Sequence, residues 1–130
     1  MTTTHEDNSA DRLTIASLQL AAERRAWRWH PGGVHDWSPE RWAVAMAGEA
    51  GEVCNALKKL FRIEDDLPNI SEEGRQLSTT AEAIAMIGTE IADTIIYATL
   101  LAERLGIDTA AEVVKKFNAT SEKYGFPDRL

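Results

Sequence analysis

Apolar residues recur along this chain at spacings of three and four, the period of a helix that buries one face. Leu13, Ala16, Leu20 and Trp27 fall roughly in one register and predict a first helix over residues 13–28. The segment His30-Pro31-Gly32-Gly33 stops it, because proline and paired glycines rarely continue a helix. Ser38-Pro39-Glu40 opens a second helix, with serine as N-cap, proline at the first helical position and an acid in the first turn. That helix is expected to reach about Arg62, with Trp42, Met46, Val53, Leu57 and Leu60 along one face. Residues 63–78 are polar and acidic, include Pro68 and Gly74, and read as a solvated connection. Its length exceeds a usual helix–helix loop, which leaves a flexible flap as the other reading. Thr79 or Thr80 caps a third helix running to Leu105, closed by Gly106; Asp108 caps a fourth over 109–124, ended by Gly125 and Pro127. Nothing reads as a strand. The expected fold is all-α, a four-helix bundle.

Two of these helices carry an unusual charge pattern. Over residues 42–57 the only charged residues are Glu49 and Glu52, and over 84–102 they are Glu90 and Asp93. Residues i and i+3 lie on the same side of a helix, so each pair shares a face. Glu49 also falls within the apolar stripe of the second helix, where a purely structural helix rarely places a glutamate. If the two helices pack, four carboxylates converge in apolar surroundings without a Lys or Arg in either stretch. Such carboxylates must be protonated, paired or metal-bound. A divalent cation fits that need, and an oxygen-only donor set suits Mg²⁺ or Mn²⁺. Glycines 48, 51 and 88 interrupt the same helices, either for close helix packing or to keep the acids uncrowded.

Composition narrows the setting. A chain of 130 residues, 44% hydrophobic and 27% charged, suits one soluble domain with a single core. The net charge of −7 argues against a nucleic-acid polymer as partner but not against a nucleotide, since bound cations invert the local field. Cys54 is the only cysteine, which excludes an intrachain disulfide; it is expected as a small buried apolar residue. The polar residues 1–12 are expected as a mobile tail lacking the apolar core of a signal peptide, and 13–127 as the domain. No apolar run approaches the roughly 20 residues needed to span a bilayer. These readings together predict a cytoplasmic protein without membrane partners.

The string Gly48-Glu49-Ala50-Gly51-Glu52, followed by Asn55, Lys58-Lys59 and Glu90-Ile91-Ala92-Asp93, resembles the MazG-like, all-α nucleoside triphosphate pyrophosphohydrolases. The ending Lys116-Phe117-Asn118, with Ser121, Lys123 and Gly125, is similar to that family's phosphate-contacting segment. The resemblance spans roughly residues 13–127. It implies Mg²⁺-dependent hydrolysis of an NTP or dNTP to the monophosphate and pyrophosphate. Glu49, Glu52, Glu90 and Asp93 would hold the metal, with Glu49 or Glu52 orienting or deprotonating the attacking water. It further implies that Lys116 and Asn118 contact phosphate, and that the chain forms a homodimer or homotetramer whose sites include residues of a second copy.

Further candidates come from position. Lys59 lies near the side of Glu52 and is a phosphate candidate or a surface charge, while Lys115 and Lys123 read as solvent-facing. Tyr97, one turn past Asp93, either faces the nucleotide or sits in the core. Among Trp27, Trp29, Trp37 and Trp42, Trp42 is expected in the core and Trp37 is the base-contact candidate. Two other readings compete with the enzyme. A non-catalytic helical module gains nothing from four convergent acids, and a di-iron bundle needs histidines on its helices. His5, His30 and His35 all lie outside the predicted helices.

Overall fold

The computed structural model describes residues 12–68, 74 and 79–130. The expectations for the N-terminal tail up to residue 11 and for most of the 63–78 connection fall outside the described residues. Among the described residues the chain is all-helical, with no strand. The helices are α1 (Ile15–Trp29), α2 (Pro39–Glu64), α3 (Thr80–Arg104) and α4 (Thr109–Tyr124), with a 3-10 turn at Gly33–Asp36 between the first two.

The helix ends follow local chemistry. Ser38, Thr79 and Asp108 each accept a hydrogen bond from a backbone amide three residues on, satisfying one of the orphan donors of the first turn. Thr14 and Ser17 form a reciprocal capping box at the start of α1. Gly125 closes α4 at φ 70°, the left-handed conformation that costs glycine least. Glu40, in the first turn of α2, is held below the ordinary carboxylate value by hydrogen bonds from its own backbone amide and from Ser38.

The main contact of the fold is α2 against α3, joined by α1 laid across α3. Ala22 and Ala26 of α1, Val34, Trp42 of α2 and Leu100 of α3 form the buried cluster, with Trp37, Ile96, Tyr97 and Leu101 packed against it. Small residues on α1 let it approach closely, and the Trp42 indole fills the corner. Its N–H donates 2.8 Å to the Val34 carbonyl, so the one polar atom of the ring is satisfied. Gly33 is fixed by two demands: φ is +61°, and a Cβ there would meet the Trp27 ring at 2.7 Å. Gln19 fastens α1 to the turn between α3 and α4. Its amide donates to Glu103 at 2.8 Å and to the Ile107 carbonyl at 2.7 Å, and its oxygen accepts from the Thr109 amide at 3.1 Å.

Three expectations need correction. Cys54 is exposed, because it shares a row with Ala47, Ala50, Lys58 and Phe61 on the side of α2 turned away from α3. The apolar sequence of the third helix predicts burial on more than one side; within the single chain only Ala83, Thr99 and Leu100 of α3 are fully buried. Ile84, Ile91 and Ile95 stand on its outer face, 45–56% exposed. Finally, α3 is long and apolar enough, by length and composition, to cross a membrane. Counting uninterrupted apolar runs misses it because Glu90 and Asp93 divide the helix near its middle. Unpaired carboxylates at that depth in hydrocarbon are costly.

Candidate metal centre

Pairing of α2 with α3 brings the two acidic motifs face to face. Glu49, Glu90 and Asp93 are all half-buried, and each offers a carboxylate oxygen so placed that the three lie within 4.8 Å of one another. An octahedral Mg²⁺ with bonds of about 2.1 Å holds its ligand oxygens roughly 3 Å (cis) to 4.2 Å (trans) apart. Side-chain rotation of about an ångström therefore closes the trio on such an ion. The donors are all hard oxygen, and Asp93 and Glu90 share a turn of α3 while Glu49 reaches across from α2. The residues fit a divalent oxygen-seeking cation.

Glu52 is placed differently. It is exposed one turn past Glu49 and stands outside the trio, with the Asn55 amide donating to it over a long 3.5 Å. Its charge is still felt: the Glu49 carboxyl is raised above the ordinary value, by desolvation first and then by the negative charges of Asp93, Glu90 and Glu52. That is the signature of carboxylates crowded together.

Glu49 and Asp93 open into a cavity of about 150 Å³. Ile96, Tyr97 and Leu100 extend its wall along α3, and Arg25 and Trp29 close it from α1. Tyr97 thus faces the same space as the acids. Arg25 and Trp29 belong to no motif that sequence reasoning picks out. They do sit four apart beside the buried Ala22 and Ala26, and an arginine flanking a buried stripe on the face its neighbours pack against is a readable signal.

The remaining candidates lie elsewhere. Among the described residues, the cavity wall includes none of Lys59, Lys116, Asn118 and Trp37. Trp37 packs on Trp42 and His30, with ring centroids 4.6 and 5.2 Å away, and its carbonyl accepts from Arg104 at 2.9 Å. Lys59 is half-buried on α2. Lys116 lines a separate apolar groove of about 670 Å³ beside Phe117 and Phe126. The Asn118 side chain binds the backbone of Leu130, accepting from its amide at 2.9 Å and donating to its carbonyl at 3.3 Å. Among the described residues no histidine joins the trio, and His30 and His35 precede α2 in the chain, whereas a di-iron bundle places histidines on its helices. Among the described residues an added Cβ at glycines 48, 51 and 88 meets nothing within 4 Å, so close packing against those residues does not explain them.

No curated protein and no solved structure matches the chain. A family model described as the MazG-like family does match, over residues 57–129. The match contains Glu90, Asp93 and all of α3 and α4, while Glu49, outside the match, joins the trio through geometry. It covers more than half of the sequence, and the chain belongs to the MazG-like family.

Proposed function

We propose that this protein hydrolyses a nucleoside triphosphate, NTP or dNTP, to the monophosphate and pyrophosphate with Mg²⁺, Mn²⁺ serving as a substitute. The observation that carries the proposal is the trio itself: three carboxylates from two helices, gathered within 4.8 Å of one another, with no ion pair to a cation among the described residues. Stability alone does not favour that arrangement, because like charges this close repel. Family membership makes a phosphoanhydride the natural bond to break.

Glu49, Glu90 and Asp93 would hold the cation, which when bound neutralises phosphate oxygens and acidifies water. In the hydrolysis the oxygen of water bonds to the α-phosphorus while the bond from that phosphorus to the α–β bridging oxygen breaks. Pyrophosphate leaves with the bridging oxygen. Glu52, outside the close trio and exposed, is the carboxylate left to orient that water and accept its proton. Tyr97 and the apolar wall of the cavity would contact part of the nucleoside, the rest lying outside its roughly 150 Å³.

The proposal includes a second copy of the chain. The outer rows of α2 and α3 remain apolar and exposed, and in a homodimer or homotetramer each would find cover. Lys116 and Asn118 would then serve the site of a neighbouring copy. The working compartment is the cytoplasm, where free NTPs and Mg²⁺ coexist.

The test is direct. Purified protein is incubated with a panel of canonical and modified NTPs and dNTPs and Mg²⁺, and monophosphate and pyrophosphate are quantified together. Equimolar release that stops with EDTA is the expected result. Absence of pyrophosphate with every substrate, in Mg²⁺ and in Mn²⁺, leaves the non-catalytic helical module as the reading.

A further inference from the structure

Among the described residues, one positive charge beside the acids has no carboxylate partner. Arg25 lines the same cavity as Glu49 and Asp93. It forms no ion pair with any described residue; its guanidinium lies over the Trp29 ring, 5.3 Å from the centroid. Arg25 and Trp29 are one turn apart on α1, so the stack is built into the helix. A guanidinium on an aromatic face loses less freedom when it binds.

The direction of α1 fixes which end of the cavity this is. Gln19, near the start of α1, bonds to Glu103 and Ile107 at the end of α3, so the two helices run antiparallel. From Asp93 to Leu100 along α3 is roughly 10 Å at about 1.5 Å per residue. The cavity therefore has an acidic end at Asp93 and an apolar end at Leu100; in the opposite wall Trp29 lies toward the acids, and the Arg25 side chain, rooted nearer Leu100, reaches that way over the Trp29 ring. At about 150 Å³ the cavity takes only part of a nucleoside triphosphate, and phosphates held at the acids pass beside that wall. The cations of α4 do not line this cavity in the same chain; Arg25 does.

We infer that Arg25 is a substrate-contacting residue whose guanidinium takes a pair of phosphate oxygens of the bound triphosphate, facing the acid-held cation from the other side, with Trp29 as the plate that presents it. This rests on the pyrophosphohydrolase reading. Arginine suits the role because its fork matches two phosphate oxygens at once, which a lysine cannot do.

The experiment measures equilibrium binding of non-hydrolysable α,β-imido triphosphates of several bases, with Mg²⁺, to the full chain. Wild type is compared with Arg25→Met, which keeps the stem over Trp29, and with Arg25→Lys. Mn²⁺ binding without nucleotide and the melting temperature are the structural controls. Arg25→Met should weaken analogue affinity roughly ten- to hundredfold, because it removes a charge-assisted hydrogen bond to phosphate. The weakening should be equal for every base, with Mn²⁺ binding and melting temperature unchanged and with partial recovery in Arg25→Lys. Affinity within twofold of wild type overturns the assignment. So does a weakening confined to certain bases, or one accompanied by an equal drop in Mn²⁺ binding or a collapsed melting temperature. If wild type itself neither binds the analogues nor releases pyrophosphate, the pyrophosphohydrolase reading fails, and this inference with it.

Discussion

Replacing Glu49 by glutamine is expected to make the metal-free protein more stable and the metal-loaded protein both less stable and inactive. The substitution keeps shape and removes one charge from a trio whose oxygens lie within 4.8 Å of one another. At that separation a pair of like charges repels by about 0.9 kcal/mol at the dielectric of water. Half-exposed groups are well screened, so the water value is the proper one here. Two pairs, with Glu90 and with Asp93, give about 1.7 kcal/mol. For a domain of this size that corresponds to a rise of roughly 5 °C in melting temperature in EDTA. With divalent metal the order inverts. Wild type gains about 2.7 kcal/mol when the free ion is at a hundred times its dissociation constant, whereas the variant, one anionic ligand short, gains much less. Turnover should fall by roughly two orders of magnitude or more, since even removal of a supporting outer group costs about ten- to a hundredfold. Differential scanning fluorimetry across Mg²⁺ and Mn²⁺ titrations, alongside pyrophosphate release, reads every quantity. A variant that is less stable than wild type in EDTA, yet keeps its metal response and turnover, would refute the whole chain of reasoning.

The same crowding sets a pH dependence. The folded-state Glu49 carboxyl is raised above its ordinary value of 4.5, so between that value and the raised one the folded state binds more protons than the unfolded. Its contribution in metal-free protein therefore declines as pH rises through that window, and Glu49→Gln should flatten that part of the melting-temperature profile; an unchanged profile contradicts it. Trp42→Ala should cost about 3–5 kcal/mol in urea unfolding, because it removes a fully packed indole together with its hydrogen bond to Val34. Gln19→Ala should cost about 1–3 kcal/mol by the same measure, leaving the Thr109 amide without its acceptor, and a neutral result would show that α1 and the α3–α4 turn are held by apolar contact alone. Multi-angle light scattering should give at least twice the 14.4 kDa chain mass, and Ile95→Glu should reduce it; a wild-type monomer at micromolar concentration contradicts the second copy.

Much of the fold is legible in the sequence because its signals are local. Ser38, Thr79 and Asp108 cap helices by reaching only three residues ahead, and a periodic apolar stripe needs no partner to be recognised. The 3-10 turn at Gly33–Asp36 is not legible, since its reason is the Trp27 ring lying against Gly33, an approach between segments. In the site, Glu49, Glu90 and Asp93 stand out as charges where the pattern calls for apolar neighbours, and pairing of α2 with α3 brings them together. Spacing alone puts Glu52 with Glu49, but a second carboxylate three residues on, about 60° around the helix, stays at the rim. Cys54 is misplaced by sequence reasoning because hydrophobic character does not say which of two apolar rows on one helix finds a partner. Arg25 belongs to no motif; only the crossing of α1 over α3 gives it meaning.

Gly48, Gly51 and Gly88 each occupy a helix interior at a cost of about 1 kcal/mol relative to alanine, and none is needed for close approach to another described residue of the chain. Roughly 3 kcal/mol of helix-forming free energy is thus forgone in the two helices that carry the acids, against a typical total stability of only about 5–15 kcal/mol. A lone chain, empty of ligand, stands that much nearer its unfolding threshold than its helical content implies. Whatever binds the folded form then governs how much of it exists. If the proposed cation, nucleotide and second copy are what bind it, abundance of the working protein would be tied to their supply, so that starvation for any of them would thin the folded population before it slowed a single turnover.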